Sequence, residues 1–340
     1  MELSRQRNAV RNPVVDVHAH VFLPGVLGAC GSAGPDLTLE GGQQVFRAGS
    51  YTIRGVRFRD SPMSELSLRL ELMDGMGITQ QILSPYPMLY FYDQPAEQAA
   101  HFCAAHNDEL ARLVARCPER LIGLATLPMQ SPVAAIAELE RAINKLGLRG
   151  ASIGGRFAGR ELSDPAYDPL WSLLAERALP VFLHPGPLDR AQGGLPDGWE
   201  MELIVGFAID ETLAVAHLVL GGVLDRHPGL VAVVPHGGGF APYVRSRFEM
   251  AVAKRPWGRG LLKRPLRDIW QQLVFDCLVH DDDALCYLVR THGADRLVVG
   301  TNFAAWDQDD QIIEQVRRLP FDDTAKSAIL GGNARRLFAI

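Results

Sequence analysis

Eight short apolar runs, separated by longer stretches with helical spacing, constrain the fold more than any other feature of this sequence. They lie at 14–18, 79–84, 121–127, 150–153, 180–184, 230–235, 273–275 and 296–300. Val, Ile and Leu dominate them and polar alternation is sparse, the pattern of strands covered on both faces by helices. Helix-like segments fall between them. The first, 64–76, ends at Gly77, a residue suited to a left-handed cap. Segments 95–117 and 132–146 open on proline, as helices often do; others fall at 169–177, 211–225, 282–292 and 323–330. Eight strands with interposed helices predict an α/β (β/α)₈ TIM-type barrel. No Gly-rich dinucleotide fingerprint follows any strand, which argues against an open nucleotide-binding sheet. Residues 22–62 break the alternation: they are Gly-rich, then strand-like at 44–46 and 51–58, and read as a small β insertion, a hairpin over the barrel mouth. With no repeat, low-complexity tract or linker, 1–340 reads as one barrel domain.

Length and composition agree. A chain of 340 residues suits a barrel with an insertion, and 47% hydrophobic residues supply a large core. The net charge of −5 leaves no basic face for nucleic acid. Two short basic clusters remain, Arg54, Arg57 and Arg59 in the insertion and Lys254–Arg255; solvated surface is the plain reading, and for the first cluster a grip on a substrate carboxylate is the sharper one. The five cysteines, Cys30, Cys103, Cys117, Cys277 and Cys286, form no CxxC pair, which points to a reducing compartment and away from a zinc knuckle. The basic N-terminus lacks a following apolar stretch, so no signal peptide is expected. The most apolar later segment, 213–224, contains His217 and two glycines and is too short to span a bilayer. A cytoplasmic protein without membrane or nucleic-acid partners is the expectation.

Four histidines stand at strand ends. His18 and His20 share the first strand two residues apart, so both side chains point the same way and can share a divalent metal. His184 ends the fifth run and His236 the sixth. Each could be a capped core histidine, but active sites of this fold lie at the carboxyl ends of the strands, and four such placements favour a site. Gly237, Gly238 and Gly239 read either as a tight turn or as space for substrate beside His236. Asp276, ending the seventh run, either orients a ligand histidine or caps the next helix. Among the other histidines, His101 and His106 read as helix surface, His217 as an ordinary helix residue, and His227 and His292 as residues of the opposite face; His280, after the seventh strand, is a candidate for the outer layer of the site.

These blocks together resemble the amidohydrolase-2 group of the amidohydrolase superfamily, and within it the 2-amino-3-carboxymuconate-6-semialdehyde decarboxylases. DVHAH, MDGMGITQQILS, LATLPMQSP, FLHPG, PHGGGFAPYVRSRF and FDCLVHDDDALCYLV follow in family order across nearly the whole chain. The resemblance implies His18, His20 and His184 as ligands of a metal, usually Zn²⁺, and His236 as the catalytic histidine. It implies Arg247 as a carboxylate-binding arginine offered across a homodimer interface, Arg57 or a neighbour as a second one, and Phe303 as a further substrate contact. Arginine suits a carboxylate because its planar fork forms two parallel bonds. Where the family carries G-[ST]-D-[YF]-P, this chain reads Gly300-Thr301-Asn302-Phe303-Ala304. Asn302 takes the place of an aspartate that completes the metal site and acts in catalysis; an amide offers an oxygen but no charge and no proton transfer, so three histidines and Asn302 hold a dication less tightly. A second departure is Leu203, near which the related decarboxylases have an aromatic residue. The expected activity is metal-dependent, non-oxidative decarboxylation of an aromatic or muconate-like carboxylic acid. Hydrolysis or hydration of a lactone, amide or unsaturated diacid in the same fold, with or without metal, is the alternative, and a barrel that lost its metal and only binds a ligand is the third.

Overall fold

The computed structural model describes residues 13–157, 159–186, 195 and 198–340. The first strand, β1 (Val15–Val21), is buried along its whole length. Next come the insertion strands β2 (Asp36–Glu40), β3 (Gln43–Ala48) and β4 (Tyr51–Arg54), then β5 (Gln80–Pro85), β6 (Leu121–Gly123), β7 (Ala125–Thr126), β8 (Ala151–Ile153), β9 (Val181–Leu183), β10 (Ala232–Val234), β11 (Leu273–Asp276) and β12 (Leu297–Val298). Strands β1, β5 and β6 pair in that order, and β7 to β12 pair in sequence order, all parallel. Leu124 links β6 to β7, its N–H donating to the Leu83 carbonyl at 2.9 Å. The ring closes where the last strand meets the first: Asp16 bridges Val299 and Ala19 bridges Phe303. One apolar cluster takes Val15, Val17, Ile82, Leu124, Phe182, Val233, Val274 and Val298 from strands around the ring, as a filled barrel interior requires; a larger one lies between sheet and helices.

The principal helices are α1 (Leu66–Met76), α2 (Ala96–Ala115), α3 (Pro132–Leu146), α4 (Asp168–Glu176), α5 (Phe207–Val219), α6 (Ala241–Lys254), α7 (Asp282–His292), α8 (Ile312–Arg318), α9 (Asp323–Ser327) and α10 (Asn333–Phe338). Local chemistry sets their ends. α1 stops at Gly77, in the left-handed region at φ 75°. α7 starts at Asp281, whose carboxylate accepts from the Ala284 N–H at 2.7 Å. Asp281, not Asp276, therefore caps that helix.

Three helices lack the apolar periodicity that would announce them. α6 buries only Ala241, Pro242 and Phe248, and α8 and α10 are short. The segment expected as one helix over 211–225 starts earlier, runs on from a π-helical turn at Glu202–Gly206, and is broken by Gly222 at φ 72°. Likewise 323–330 divides into α9 and a π turn at Ala328–Gly332. The insertion is a three-stranded antiparallel sheet rather than a two-stranded hairpin; the strand at 36–40 is mostly exposed, and its alternation of Leu37 and Leu39 with polar residues is too brief to announce it. Phe46 of this sheet and Phe58 beyond it stack at 4.5 Å and pack on Phe22 and Tyr86, which follow the carboxyl ends of β1 and β5. All five cysteines are free and buried. Among the described residues no helix is long and apolar enough to cross a membrane.

Candidate metal and active site

The ends of β1, β9 and β10 deliver four imidazoles to one place. His18 and His20 lie within β1, with ring centres 5.1 Å apart and planes at 89°. His184 follows β9; its ring centre is 4.9 Å from that of His18 and 4.7 Å from that of His20. His236 follows β10, 5.1 Å from His18 and 5.5 Å from His184. One ring nitrogen from each of His18, His184 and His236 falls within 4.8 Å of the others.

Each imidazole has its Nδ1 against an oxygen. His18 Nδ1 is 2.8 Å from Asp276 Oδ2, His20 Nδ1 is 3.2 Å from the Pro85 carbonyl, His184 Nδ1 is 2.7 Å from the Pro185 carbonyl, and His236 Nδ1 is 2.5 Å from Glu211 Oε1. Carbonyls and carboxylates accept, so Nδ1 carries a hydrogen in each ring, and in a neutral ring Nε2 keeps a lone pair for a ligand. Burial lowers the basicity of His18, and burial together with the neighbouring imidazoles lowers His20 and His184 far below the ordinary value, so all three are neutral. His18 Nε2 and His184 Nε2 then face each other at 3.0 Å, lone pair to lone pair. A cation between them relieves that repulsion. Asn302 adds a buried side-chain oxygen with no hydrogen-bond partner among the described residues. A donor set of neutral imidazole nitrogens, with an amide oxygen, fits an imidazole-tolerant divalent metal such as zinc.

His236 differs from the other three. Burial alone would lower it, but the Glu211 carboxylate, with Asp276 and Asp307 nearby, pushes it up to about 9. Burial in turn pushes Glu211 up to about 7, against the pull of His236. The two form a largely buried imidazolium–carboxylate pair, and the second oxygen of Glu211 has no hydrogen-bond partner among the described residues. Glu211 carries no motif. The available signal was its position three, four and seven residues before Ala214, Val215 and Leu218, on the buried stripe of α5.

Asp276 is fully buried. It accepts from His18 and from the N–H groups of Gly237 and Leu278, and these hold it below the usual carboxylate range despite burial. A second buried network lies beneath β1. Asp16 accepts from Thr301 Oγ1 at 2.8 Å and from Gln81 Nε2 at 3.0 Å, and burial raises its carboxyl to about 6. Arg69 donates to Gln81 Oε1 at 2.8 Å and to the His20 carbonyl at 2.6 Å, fixing the backbone that carries a candidate ligand.

Other expected residues take different places. The three glycines after His236 open no space for substrate. A Cβ on Gly237 would sit 2.4 Å from Val279 Cγ1, one on Gly238 2.5 Å from the Phe275 ring, and one on Gly239 2.3 Å from the Ala208 carbonyl oxygen. They allow close packing of the turn on its neighbours. His106 is fully buried in α2, so it is not a surface residue, and neither ring nitrogen has a hydrogen-bond partner among the described residues; the apolar positions Ala99, Phe102, Cys103 and Leu110 share its face. His101 is exposed. His217 pairs with Glu161, His227 with Asp168, and His292 packs against Trp270 and Phe275. His280 is half exposed, with Nδ1 3.5 Å from Asp309. Phe303 is fully buried, and the Arg69 guanidinium lies 4.7 Å from its ring centre. Arg54 is taken by Glu40, whereas Arg57 is exposed without an ion pair among the described residues, as is Arg247 on α6. Leu203 lies in the π turn, and one turn on, Phe207 brings an aromatic ring 6.1 Å from both His184 and His236.

Comparison with known proteins agrees with this fold. Residues 15–340 match the amidohydrolase family model. The chain is 32% identical over 292 residues to 2-amino-3-carboxymuconate-6-semialdehyde decarboxylase of Dictyostelium discoideum, covering 83% of this chain and 79% of that protein. It is 29% identical to 2-keto-4-carboxy-3-hexenedioate hydratase of Sphingobium, covering 79% and 81%. The crystal structure of a dihydroxybenzoic acid decarboxylase from Polaromonas, holding manganese and an inhibitor, superposes with a TM-score of 0.73 at 23% identity, covering 96% of this chain and 97% of that one. The chain belongs to the amidohydrolase family of enzymes and has carboxy-lyases among its relatives.

Proposed function

We propose that this protein is a metal-dependent, non-oxidative decarboxylase of an aromatic or muconate-like carboxylic acid. The observation that carries the reading is the approach of His18, His184 and His236 to within 4.8 Å at the carboxyl end of the barrel, with His236 backed by buried Glu211. His18, His20, His184 and Asn302 would hold the metal, for which Zn²⁺ and Mn²⁺ are the candidates. Bound there, it would orient the substrate and polarise an oxygen beside the carbon that loses its carboxylate. His236, held protonated by Glu211, would deliver its Nε2 proton to that carbon. The bond to the carboxylate then breaks, CO₂ leaves, and solvent returns the proton to His236. Asp276 would keep His18 in the ligating tautomer. Phe207 would face the substrate ring, while Phe303, with Arg69 over it, would support the strand end from below. Arg57, unpaired in the insertion, would grip a carboxylate, and the insertion would cover the barrel mouth.

Arg247 would serve the neighbouring subunit of a homodimer. In support, α6 and the residue before it expose Phe240, Tyr243 and Met250 along the face that carries Arg247.

The test is CO₂ release from a panel of hydroxybenzoates and carboxymuconates. His236→Ala should lower turnover by a factor on the order of 10² to 10⁴ with metal content nearly intact. Unchanged turnover would exclude the role given to His236. Hydration of an unsaturated diacid is the second reading, favoured by the hydratase relative and by the missing aspartate at 302. Turnover of such a diacid without CO₂ release would select it.

A further inference from the structure

The family's aspartate at position 302 is an asparagine here, yet a carboxylate stands against it. The Nδ2 of Asn302 donates to Asp307 Oδ1. The Asp307 side chain is 17% exposed, and its charge is felt at both His18 and His236. Opposite the amide, its second oxygen lies 4.0 Å from His280 Nε2.

The backbone delivers it there. After Asn302 (φ 50°) and Ala304 (φ 68°), both left-handed, the chain turns back, and the Asp309 N–H donates to the Thr301 carbonyl at 2.9 Å. The Ala304 N–H donates to Gln308 Oε1 at 2.7 Å. A proline at 304 could adopt neither that φ nor that donation. Alanine at 304 thus permits the fold-back that brings the Asp307 carboxylate to the amide, and proline would not.

We propose that Asp307 is a positioning residue that supplies, through Asn302, the negative charge Asn302 does not itself carry at the metal centre. Asp307 accepts the Asn302 amide hydrogen, orients its free oxygen, Oδ1, as a neutral ligand, and leaves a carboxylate within electrostatic reach of His18 and His236. This rests on the reading of the histidine cluster as a metal site.

The test is Mn²⁺ binding to the chelator-stripped full chain, followed by calorimetry and by the Mn²⁺ electron-spin signal, with thermal melting as a check on folding. Asp307→Asn keeps an amide-to-oxygen hydrogen bond with Asn302 and removes only the charge. It should weaken Mn²⁺ binding about ten- to a hundredfold with the melting temperature nearly unchanged. Asn302→Asp combined with Asp307→Asn moves the charge back to the strand end and should restore binding to within about threefold of the parent, although Asp307 is gone. A parent that binds Mn²⁺ and an Asp307→Asn protein that binds it equally, or a double variant as weak as the single one, overturns the inference and leaves the metal reading standing. A parent that binds neither Mn²⁺ nor Zn²⁺ overturns the metal reading and this inference with it.

Discussion

At the scale of single residues, the site is governed by what stands behind each imidazole. His18, His20 and His184 are backed by Asp276 or by carbonyls and stay neutral, whereas His236 is backed by a buried glutamate and is driven the other way. Glu211→Gln preserves a hydrogen-bond acceptor but removes the charge that holds His236 at about 9. His236 should then lose its proton at lower pH. The alkaline limb of the kcat/KM profile should move toward acid by at least about one pH unit, with kcat reduced about a hundredfold. A profile with its alkaline limb unmoved would assign the proton to another group. Position 302 carries a related lesson. From the sequence, Asn302 reads as a lost charge, because local motifs say nothing about a carboxylate five residues on in a polar loop.

At the scale of elements, the outcome depended on how strongly each segment is patterned. The eight barrel strands were legible because both faces are buried and their apolar runs are continuous. Helices α2 and α3 were legible for their length and proline starts, whereas α6, lying largely in solvent, was not. His18, His20, His184 and His236 could be found because each follows or ends an apolar run. Glu211 and Arg69 could not, since a charged residue inside a helical segment reads as solvent-facing until the packing is known. His106 on α2 shows the same limit and gives a pH prediction. Burial lowers it from 6.5 to about 4. A histidine depressed by folding contributes stability that is present above pH 6.5 and lost as pH falls through the folded value. That term amounts to about 3 kcal/mol. His106→Leu should be within about 1 kcal/mol of the parent at pH 7.5, because neither ring nitrogen has a partner to lose. Near pH 4.5 it should be clearly the more stable protein. Denaturant titrations at the two pH values measure this, and parallel acid losses in both proteins would place the sensitivity elsewhere.

At the scale of the whole molecule, the proposed homodimer makes a prediction separable from chemistry inside one barrel. Tyr243 is 80% exposed and Met250 52% exposed, so changing both to glutamate should leave the fold intact, as exposed substitutions usually do. By sedimentation the parent should run as a dimer and the double variant as a monomer, with KM raised about tenfold through loss of the neighbour's Arg247, about the effect of one charge-assisted contact. A monomeric parent with full activity would remove Arg247 from the site.

The seam between Val299 and Asp16, and between Phe303 and Ala19, joins strands that lie at opposite ends of the chain. In the proposed metal site the binding groups are split across that seam, His18 and His20 on one side and Asn302 on the other. An ion held between them would staple the first strand to the last, so that loading the site would also lock the ring.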